Sequence, residues 1–439
     1  RALRRVLPIA LGGKSDMLGT LRPVQGVSQQ SRVFMDQRSV RVQWTQLVVL
    51  SAIHFLVDMF GNMLPAILPT LRERFAITLA TGGSILAALS LAANGVQVLT
   101  GGMRPNKTTP LFLHVGMVLA ASICLIFLAP KSSMGVVLLF ALGVISGSGI
   151  AITHPEGLRA IHTLDRISPA LSMPIFMTSG FLGFASAGMI SAVLVSSYGL
   201  KGLCPLIVGS ALGVVALLAV RVRLSTDDAG AHTNGAGTGT RPGALPFWKV
   251  LLIGLPAAVS TTVVLQLAPT YLNELGFELE FGGFSTAMFG WGGVIGPFFW
   301  AAIARKRGDL TCTAWAFLLS FPFMVLYMVV VTHRAAAWLL VGVGFSSMAA
   351  YILAITLARN ASGANLGRRM ALIVGGTWGI AMIVFLALAA VADFVGTGPI
   401  LKLTPAGYLI SAALAFWVLR QHPESVQRRP ITPVLETPV

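Results

Sequence analysis

Twelve long apolar runs divide this 439-residue chain and leave few ways for it to fold. Each run offers about the 20 apolar residues that a helix needs to cross the hydrocarbon core of a membrane. Backbone groups without a partner are too costly in lipid, so each run is predicted to be a transmembrane helix. The runs lie near residues 44–71, 81–103, 110–129, 135–158, 170–196, 202–220, 247–272, 283–304, 311–331, 335–358, 368–392 and 402–419.

The placement of charge agrees with a protein that crosses a membrane many times. Only 10% of the residues are charged, whereas a soluble domain carries about 25%. If the N-terminus is cytoplasmic, the outside loops hold just 6 of the 31 Lys and Arg residues, namely Arg72, Arg74, Lys131, Lys201, Arg334 and Lys402. The positive-inside rule therefore predicts that both termini are cytoplasmic. It accounts for the net charge of +16 without a nucleic-acid partner, and membrane lipids are the expected contact.

Residues 221–246 form the longest break between apolar runs. This segment is rich in Gly, Thr and Ala and has no apolar periodicity, which predicts a flexible cytoplasmic linker. The linker divides the runs into six and six. We therefore expect a disordered cytoplasmic tail over residues 1–43, a six-helix bundle over 44–220, a second six-helix bundle over 247–419 and a cytoplasmic tail over 420–439.

The two halves repeat each other weakly. At an offset of 204 residues Trp44 matches Trp248, and at an offset of 200 residues Gly82 matches Gly282. The matches lie in corresponding runs and the offset drifts slowly, which indicates a duplicated six-helix unit. Two parallel six-helix halves with a binding site between them at mid-membrane are the architecture of major facilitator transporters. The sequence thus predicts an all-α membrane protein of the major facilitator fold, with twelve transmembrane helices.

A polar stripe follows the first apolar run. Ser51, His54, Asp58 and Asn62 are spaced by three and four residues, so they share one helical face. An ionised Asp at mid-bilayer costs roughly 3 kcal/mol or more, so the stripe must face other helices or a water-filled cavity. Two interpretations stay open. The stripe is either a hydrogen-bonded link between helices, or a proton-coupling site made by Asp58 and tuned by His54.

A second constellation, THPEG at residues 153–157, lies in the inner half of the fourth run. His154 and Glu156 are two residues apart, so on a helix they point to nearly opposite sides and are not expected to pair. Glu156 and Arg159 are three residues apart and can form an ion pair. The spacing is consistent with a structural salt bridge or gate at the cytoplasmic end. It is equally consistent with direct participation of these three residues in substrate or proton binding.

Glycines at helical spacing recur in the fifth and eleventh runs, at Gly180, Gly183, Gly376 and Gly379. Small residues let helices approach closely, and plain packing would account for all four. The alternative is that they form sliding surfaces for a rocking motion, which would make them conformational glycines.

Away from the ends of the apolar runs, the polar residues of the second half carry no charge. Thr262, Gln266, Tyr271 and Trp378 are the candidates there for contact with a substrate, and Gln266 falls opposite Asn62 in the repeat register. The asymmetry suggests that the first half handles charge and that both halves contact the substrate.

The sequence carries no signature of an enzyme. It has no GxSxG, HExxH or P-loop motif. Its three cysteines lie far apart in separate apolar runs, which argues against a disulfide framework and against a metal cluster. We expect neither a cofactor nor a bound metal.

Three stretches of the chain resemble the same protein family. HFLVD (residues 54–58) with Asn62 resembles the first span of the fosmidomycin-resistance branch of the major facilitator superfamily. GSGIAITHPEGLRA (residues 147–160) resembles its fourth span, and SMPIFMTSGFLGFA (residues 172–185) resembles its fifth. The similarity covers about residues 44–419, and the His-Pro-Glu stretch is its most specific part.

The resemblance implies a bacterial inner-membrane transporter driven by protons, and by family habit a drug exporter. We therefore expect a monomeric multi-pass protein that exports a small drug-like or anionic compound by antiport and alternating access. A proton-coupled uptake symporter for a small metabolite, such as an organic acid or a sugar, is the alternative. A non-transporting membrane sensor or scaffold is the second alternative. The chain departs from the superfamily pattern at residues 101–107, GGMRPNK, where an acidic residue is usual and none occurs.

Overall fold

The computed structural model describes residues 29–100, 103, 106–226, 244–363 and 366–422. Most of the expected N-terminal tail, the middle of the linker and nearly all of the expected C-terminal tail lie outside the described residues.

Helices make up nearly all of the described chain, and no β-strand occurs in it. The first half contains α1 (Gln29–Asn62), α2 (Leu64–Phe75), α3 (Leu79–Thr100), α4 (Leu111–Ala121), α5 (Ser133–Ile161), α6 (Pro169–Tyr198) and α7 (Cys204–Val220). The second half contains α8 (Phe247–Glu274), α9 (Leu279–Arg307), α10 (Asp309–Val329), α11 (Leu339–Asn360), α12 (Leu366–Ala371), α13 (Thr377–Val395), α14 (Thr397–Lys402) and α15 (Thr404–Gln421). The prediction of an all-α protein is confirmed.

Eleven stretches of the described chain are long and apolar enough to cross a membrane. One of them, residues 171–220, contains both α6 and α7. A turn that begins at Gly199, where φ is 63°, separates these two helices. Glycine adopts this left-handed conformation without steric cost. The observed number is therefore close to the twelve predicted spans, and the chain is a multi-pass membrane protein.

The first apolar run, residues 44–71, forms two helices rather than one. α1 ends at Asn62 and α2 begins at Leu64, with Pro65 in its first turn. Proline cannot donate the backbone hydrogen bond that would continue α1, and its ring clashes with the preceding turn. α1 also begins earlier than the apolar run, at Gln29, within the segment expected to be a tail.

The two halves meet chiefly through two pairs of helices, and the short helix α2 also packs against α8. α3 packs against α13, and α6 packs against α9. Small residues lie at both contacts: a Cβ atom on Gly83 would stand 3.0 Å from the Cβ of Ala389, and one on Gly290 would overlap Ala185. Lipid provides no hydrophobic driving force between helices, so this close packing is a main source of their attraction.

The helical bundle has two ends. The linker end carries the α5–α6 connection and the described residues 221–226 and 244–246. The far end carries the turns at 76–78, 129–132, 199–203, 275–278 and 396–403. At the far end Arg334 Nη2 lies 2.5 Å from a carboxylate oxygen of Glu278, within the second half. The hydrogen bond from Arg334 holds the pKa of the Glu278 carboxyl below its usual value, so this exposed pair stays charged at neutral pH.

Candidate functional site

His54 is anchored between α1 and α6. Its side chain is buried, at 6% exposure, and its Nδ1 atom lies 2.8 Å from the backbone oxygen of Phe176 on α6. Its ring also stacks on the Phe176 ring, with 4.2 Å between centroids and an angle of 18°. One residue of α6 therefore fixes both the position and the orientation of the imidazole.

Asp58 stands between two imidazoles. His154 Nε2, on α5, lies 2.9 Å from Asp58 Oδ1, and His54 Nε2 lies 3.4 Å from Asp58 Oδ2. The two imidazole rings meet edge to face, with centroids 5.3 Å apart. We call these three residues the His–Asp–His cluster. The structure thus brings His154 to the stripe of α1, a meeting for which the sequence offers no spacing signal.

The hydrogen-bond partners of the cluster determine where its protons lie. His154 Nδ1 is 2.8 Å from the backbone oxygen of Ile150, as His54 Nδ1 is from that of Phe176. A carbonyl oxygen only accepts, so each Nδ1 must carry a hydrogen. In a neutral imidazole Nε2 is then an acceptor, and an ionised carboxylate is also an acceptor. The 2.9 Å contact between His154 Nε2 and Asp58 Oδ1 therefore requires a further proton, shared by the two side chains.

The cluster also has the composition of a metal-binding set. One ligand atom from each of the three residues lies within 4.8 Å of the others. We assign the 2.9 Å contact between His154 Nε2 and Asp58 Oδ1 to a shared proton, and the expectation of no bound metal stays a prediction.

Two glycines of α6 make room for this arrangement. A Cβ atom on Gly180 would stand 2.6 Å from His54 Nε2, closer than non-bonded atoms approach. A Cβ atom on Gly183 would stand 2.8 Å from the backbone Cα of Phe55. α1 and α6 can therefore approach closely only because both positions lack a side chain.

The other two residues of the stripe behave differently from each other. Asn62 donates from Nδ2 to the backbone oxygen of Phe184 at 3.2 Å, and so links α1 to α6. Ser51 is buried, and its Oγ atom has no partner within the part of the chain that the structure describes. Asn62 is therefore committed to helix packing, whereas the Ser51 hydroxyl remains available.

Glu156 and Arg159 are turned away from the cluster. Glu156 is 2% exposed, and its Oε2 accepts a hydrogen bond of 3.0 Å from the backbone N–H of Leu113 near the start of α4. The Arg159 guanidinium donates to the backbone oxygens of Ser225 and Lys107 at the linker end. Neither residue is brought together with Asp58.

In the second half, Thr262 and Gln266 are both buried, one helical turn apart on α8. Thr262 Oγ1 and Gln266 Oε1 have no partner among the described residues. Tyr271, on the same helix, lies at the far end, where its ring would be 3.0 Å from a Cβ atom on Gly398. The three residues therefore occupy different depths of α8.

Trp378 lines a small cavity of the second half. Its ring meets that of Tyr351 at 70°, with 5.1 Å between centroids. The cavity walls carry no charged side chain: Gly254, Ala257, Ala258, Thr261, Phe317, Ser347, Met348, Tyr351 and Trp378. This agrees with the absence of charge in the interior of the apolar runs of this half.

The glycines before and after Trp378 have different surroundings. Gly376 ends a π-helical turn, Leu372–Gly376, that joins α12 to α13. A Cβ atom on Gly379 would meet no atom within 4 Å, so this glycine does not mark a close approach of helices. The close packing of helices expected at these glycines is therefore present at Gly180 and Gly183 of α6 and absent at Gly379.

Three residues of importance were given no role from the sequence. Phe176 anchors His54, Tyr351 faces Trp378, and Asp393 forms hydrogen bonds between the halves. Phe176 lies four residues before Gly180, so helical spacing does place it on the same face of α6. Tyr351 and Asp393 have no comparable signal, because their partners belong to distant parts of the chain.

Residues 50–385 match the family model described as Major Facilitator Superfamily. The chain is 29% identical over 177 residues to the fosmidomycin resistance protein of Escherichia coli strain K12, covering 40% of this chain and 43% of that protein. It is 27% identical over 172 residues to the uncharacterized MFS-type transporter YfnC of Bacillus subtilis strain 168, covering 39% and 41%. The chain thus aligns with less than half the length of either relative.

Two solved structures share the fold. A bacterial homologue of the human lysosomal transporter Spinster, inward-facing and unoccupied, has a TM-score of 0.64 at 15% identity over 89% of this chain and 99% of that chain. A mutant of the nucleoside transporter NupG has a TM-score of 0.62 at 12% identity over 87% and 100%. These identities show likeness of fold alone. By the family match over most of its length, the chain belongs to the major facilitator superfamily.

Proposed function

We propose that this protein is a proton-coupled exporter of a small drug-like or anionic compound, working as an antiporter by alternating access. Membership of the superfamily makes it a secondary transporter rather than an enzyme. The likeness to a protein named for fosmidomycin resistance favours export. The observation that carries the proton coupling is the 2.9 Å contact between His154 Nε2 and Asp58 Oδ1, which needs a shared proton.

Release of the shared proton would change the packing of the first half. Two acceptor atoms repel each other at 2.9 Å, so Asp58 and His154 would separate once the proton leaves. Asp58 belongs to α1 and His154 to α5, and His54 ties the cluster to α6. The proton therefore holds three helices in one arrangement. Proton and substrate are coupled if each binds one conformation of the transporter more tightly than the other.

The substrate contacts that we propose are three of the buried polar atoms without a partner in the described chain. These are Oγ of Ser51 on α1, Oγ1 of Thr262 and Oε1 of Gln266 on α8. A buried polar atom without a partner costs about 1–3 kcal/mol, and a bound polar compound would remove that cost. Trp378 would supply an aromatic wall in the second half.

The orientation that we propose places the linker end in the cytoplasm of a bacterial cell, in its inner membrane. In this orientation 25 of the 31 basic residues lie on the cytoplasmic side, which supports it. Protons would then enter the cluster from the side of the far end.

A vesicle assay tests the proton coupling. The purified full chain is reconstituted, a pH gradient is imposed, and radiolabelled fosmidomycin serves as the first test compound. We expect flux in the wild type that follows the gradient, and in Asp58→Asn no dependence of flux on the gradient. Asn62→Ala is the matched control, since it lies on the same stripe but bonds only to a backbone oxygen.

Two outcomes would contradict the proposal. If Asp58→Asn responds to the gradient as the wild type does, Asp58 is not the proton site. If the wild type transports at one rate with and without the gradient, proton coupling itself is wrong. A panel of aromatic, anionic and neutral compounds, screened for stabilisation of the purified protein against heat, extends the test beyond fosmidomycin.

Uptake by a symporter is the second candidate, because a proton site of this kind can serve either direction of flux. Expression in a sensitive host separates the two. Lower accumulation of a toxic compound supports export, and growth on an added carbon source supports uptake.

A further inference from the structure

We infer that Asp393 is the residue that locks the two halves together at the far end of the bundle. It lies in the last turn of α13, in the second half, and its carboxylate reaches α3, in the first half. Oδ1 accepts a hydrogen bond of 2.7 Å from the backbone N–H of Leu79, and Oδ2 accepts one of 2.9 Å from that of Ala80. Both hydrogen bonds cross from one half to the other.

The donors are the kind that a carboxylate binds well. α3 begins at Leu79, and the first N–H groups of a helix have no partner within the helix. The helix dipole adds positive potential at this end. Thr78 Oγ1 accepts from the N–H of Thr81 at 3.2 Å. The helix thus supplies part of its own cap, and Asp393 supplies the acceptors for the two N–H groups that precede Thr81.

A second contact between the halves is weaker by comparison. Arg72 Nη1 lies 3.3 Å from Glu274 Oε1, and Glu274 also accepts from Thr397. The side chains of Arg72 and Glu274 are 30% and 42% exposed, and exposed ion pairs contribute about 0–1 kcal/mol. A carboxylate that caps a helix with two hydrogen bonds typically contributes more. Asp393 is therefore the stronger of the two polar links.

The position of Asp393 suits a link that must open. One helical turn further into the bundle, α3 and α13 are in close contact, with Gly83 against Ala389 and Phe385. Leu79 is 1% exposed, whereas Asp393 is exposed to solvent. When the far end opens, water can take over the hydrogen bonds of both the carboxylate and the N–H groups. The cost of opening is then small enough for a reversible step of transport.

The other end of α3 has no equivalent group of its own. Residues 74–155 contain no Asp or Glu, so the connection from α3 to α4 at the linker end offers no carboxylate to α13. The lock that Asp393 makes at the far end therefore favours the conformation in which this end is closed. This inference depends on the transporter fold and not on proton coupling, so the two can fail separately.

The test is a distance measurement across the far end. Cys124, Cys204 and Cys312 are first replaced by Ser, and Lys131→Cys and Lys402→Cys, both exposed at the far end, carry spin labels. Electron–electron resonance on the full chain then gives the populations with the far end closed and open. We expect Asp393→Ala to lower the ratio of closed to open molecules by about fivefold, the size of a lost helix cap of about 1 kcal/mol.

Two further variants make the result decisive. Asp393→Asn retains one good acceptor and should give a smaller shift in the same direction, which covers the case that Asp393→Ala does not fold. Glu278→Ala is the matched control, because it removes an exposed ion pair at the same end but within one half. An unchanged distance distribution in both Asp393 variants, or an equal shift in Glu278→Ala, would overturn the inference.

Discussion

Gly180 illustrates how much a single residue decides in the cluster. Its missing side chain lets α6 lie against the polar face of α1, where His54 and Asp58 are held. A methyl group there would meet the imidazole from one side, while Phe176 stacks on its ring. The geometry that demands a shared proton therefore depends on a residue with no chemistry of its own.

Gly180→Ala should destabilise the protein and disturb the cluster together. Its Cβ atom would stand 2.6 Å from His54 Nε2, and overpacking of this kind costs about 1–3 kcal/mol. We expect a lower midpoint of thermal unfolding in detergent and a loss of pH-dependent transport.

Gly379→Ala should have the opposite effect on stability, although Gly379 also lies within a helix. Nothing lies within 4 Å of the new Cβ atom, and Ala is favoured over Gly within a helix by about 0.5–1 kcal/mol. We expect an equal or higher unfolding midpoint. Equal destabilisation by the two variants would show that the close approach at Gly180 is not what matters.

At the scale of elements, α4 depends on its neighbour to begin. The residue before it is Pro110, which offers no side-chain cap, and Glu156 from α5 supplies an acceptor to the N–H of Leu113. The two titratable residues of the His-Pro-Glu stretch therefore have different partners. His154 faces the cluster on α1, while Glu156 faces the start of α4.

Glu156→Ala should weaken the first half without removing proton coupling. The buried N–H of Leu113 would lose its acceptor, at a cost of about 1–3 kcal/mol. We expect a lower unfolding midpoint but a normal response of the surviving flux to a pH gradient. Glu156→Gln keeps an amide oxygen as acceptor and should lose less stability. Abolition of the gradient response by Glu156→Gln, at unchanged stability, would place Glu156 in the proton site instead.

At the scale of the whole molecule, the described structure consists of two helical halves that differ in the polar groups they bury. The His–Asp–His cluster lies in the first half, and the cavity around Trp378 in the second half has no charged wall. The halves meet chiefly along α3–α13 and α6–α9, and also where α2 packs against α8. A rocking motion of one half against the other would change all of these contacts at once.

Labelling of intact cells tests the orientation of the molecule. In the cysteine-free background, Lys131→Cys and Lys402→Cys at the far end should react with a maleimide that cannot cross the membrane. Lys107→Cys, exposed at the linker end, should react only after the membrane is made permeable. The expectation follows from the bias of basic residues towards the linker end. The reverse pattern of labelling would contradict it.

The amino-acid sequence by itself determined the membrane-spanning helices, because apolar length and backbone hydrogen bonding are local properties of each run. It also placed His54 and Asp58 on one face of α1 by their spacing of four residues. Two local details escaped it, the division of the first run at Pro65 and the early start of α1 at Gln29.

Only the tertiary structure decided which polar groups meet. His154 reaches Asp58 across 96 positions of the chain, and Asp393 reaches Leu79 across 314. Helical periodicity states which way a side chain points, but the partner in that direction is set by the packing of helices remote in sequence. The same packing turned Glu156 towards α4 and left the hydroxyl of Ser51 without a partner in the described chain. Pairing between distant helices is therefore what converts a polar stripe into a site.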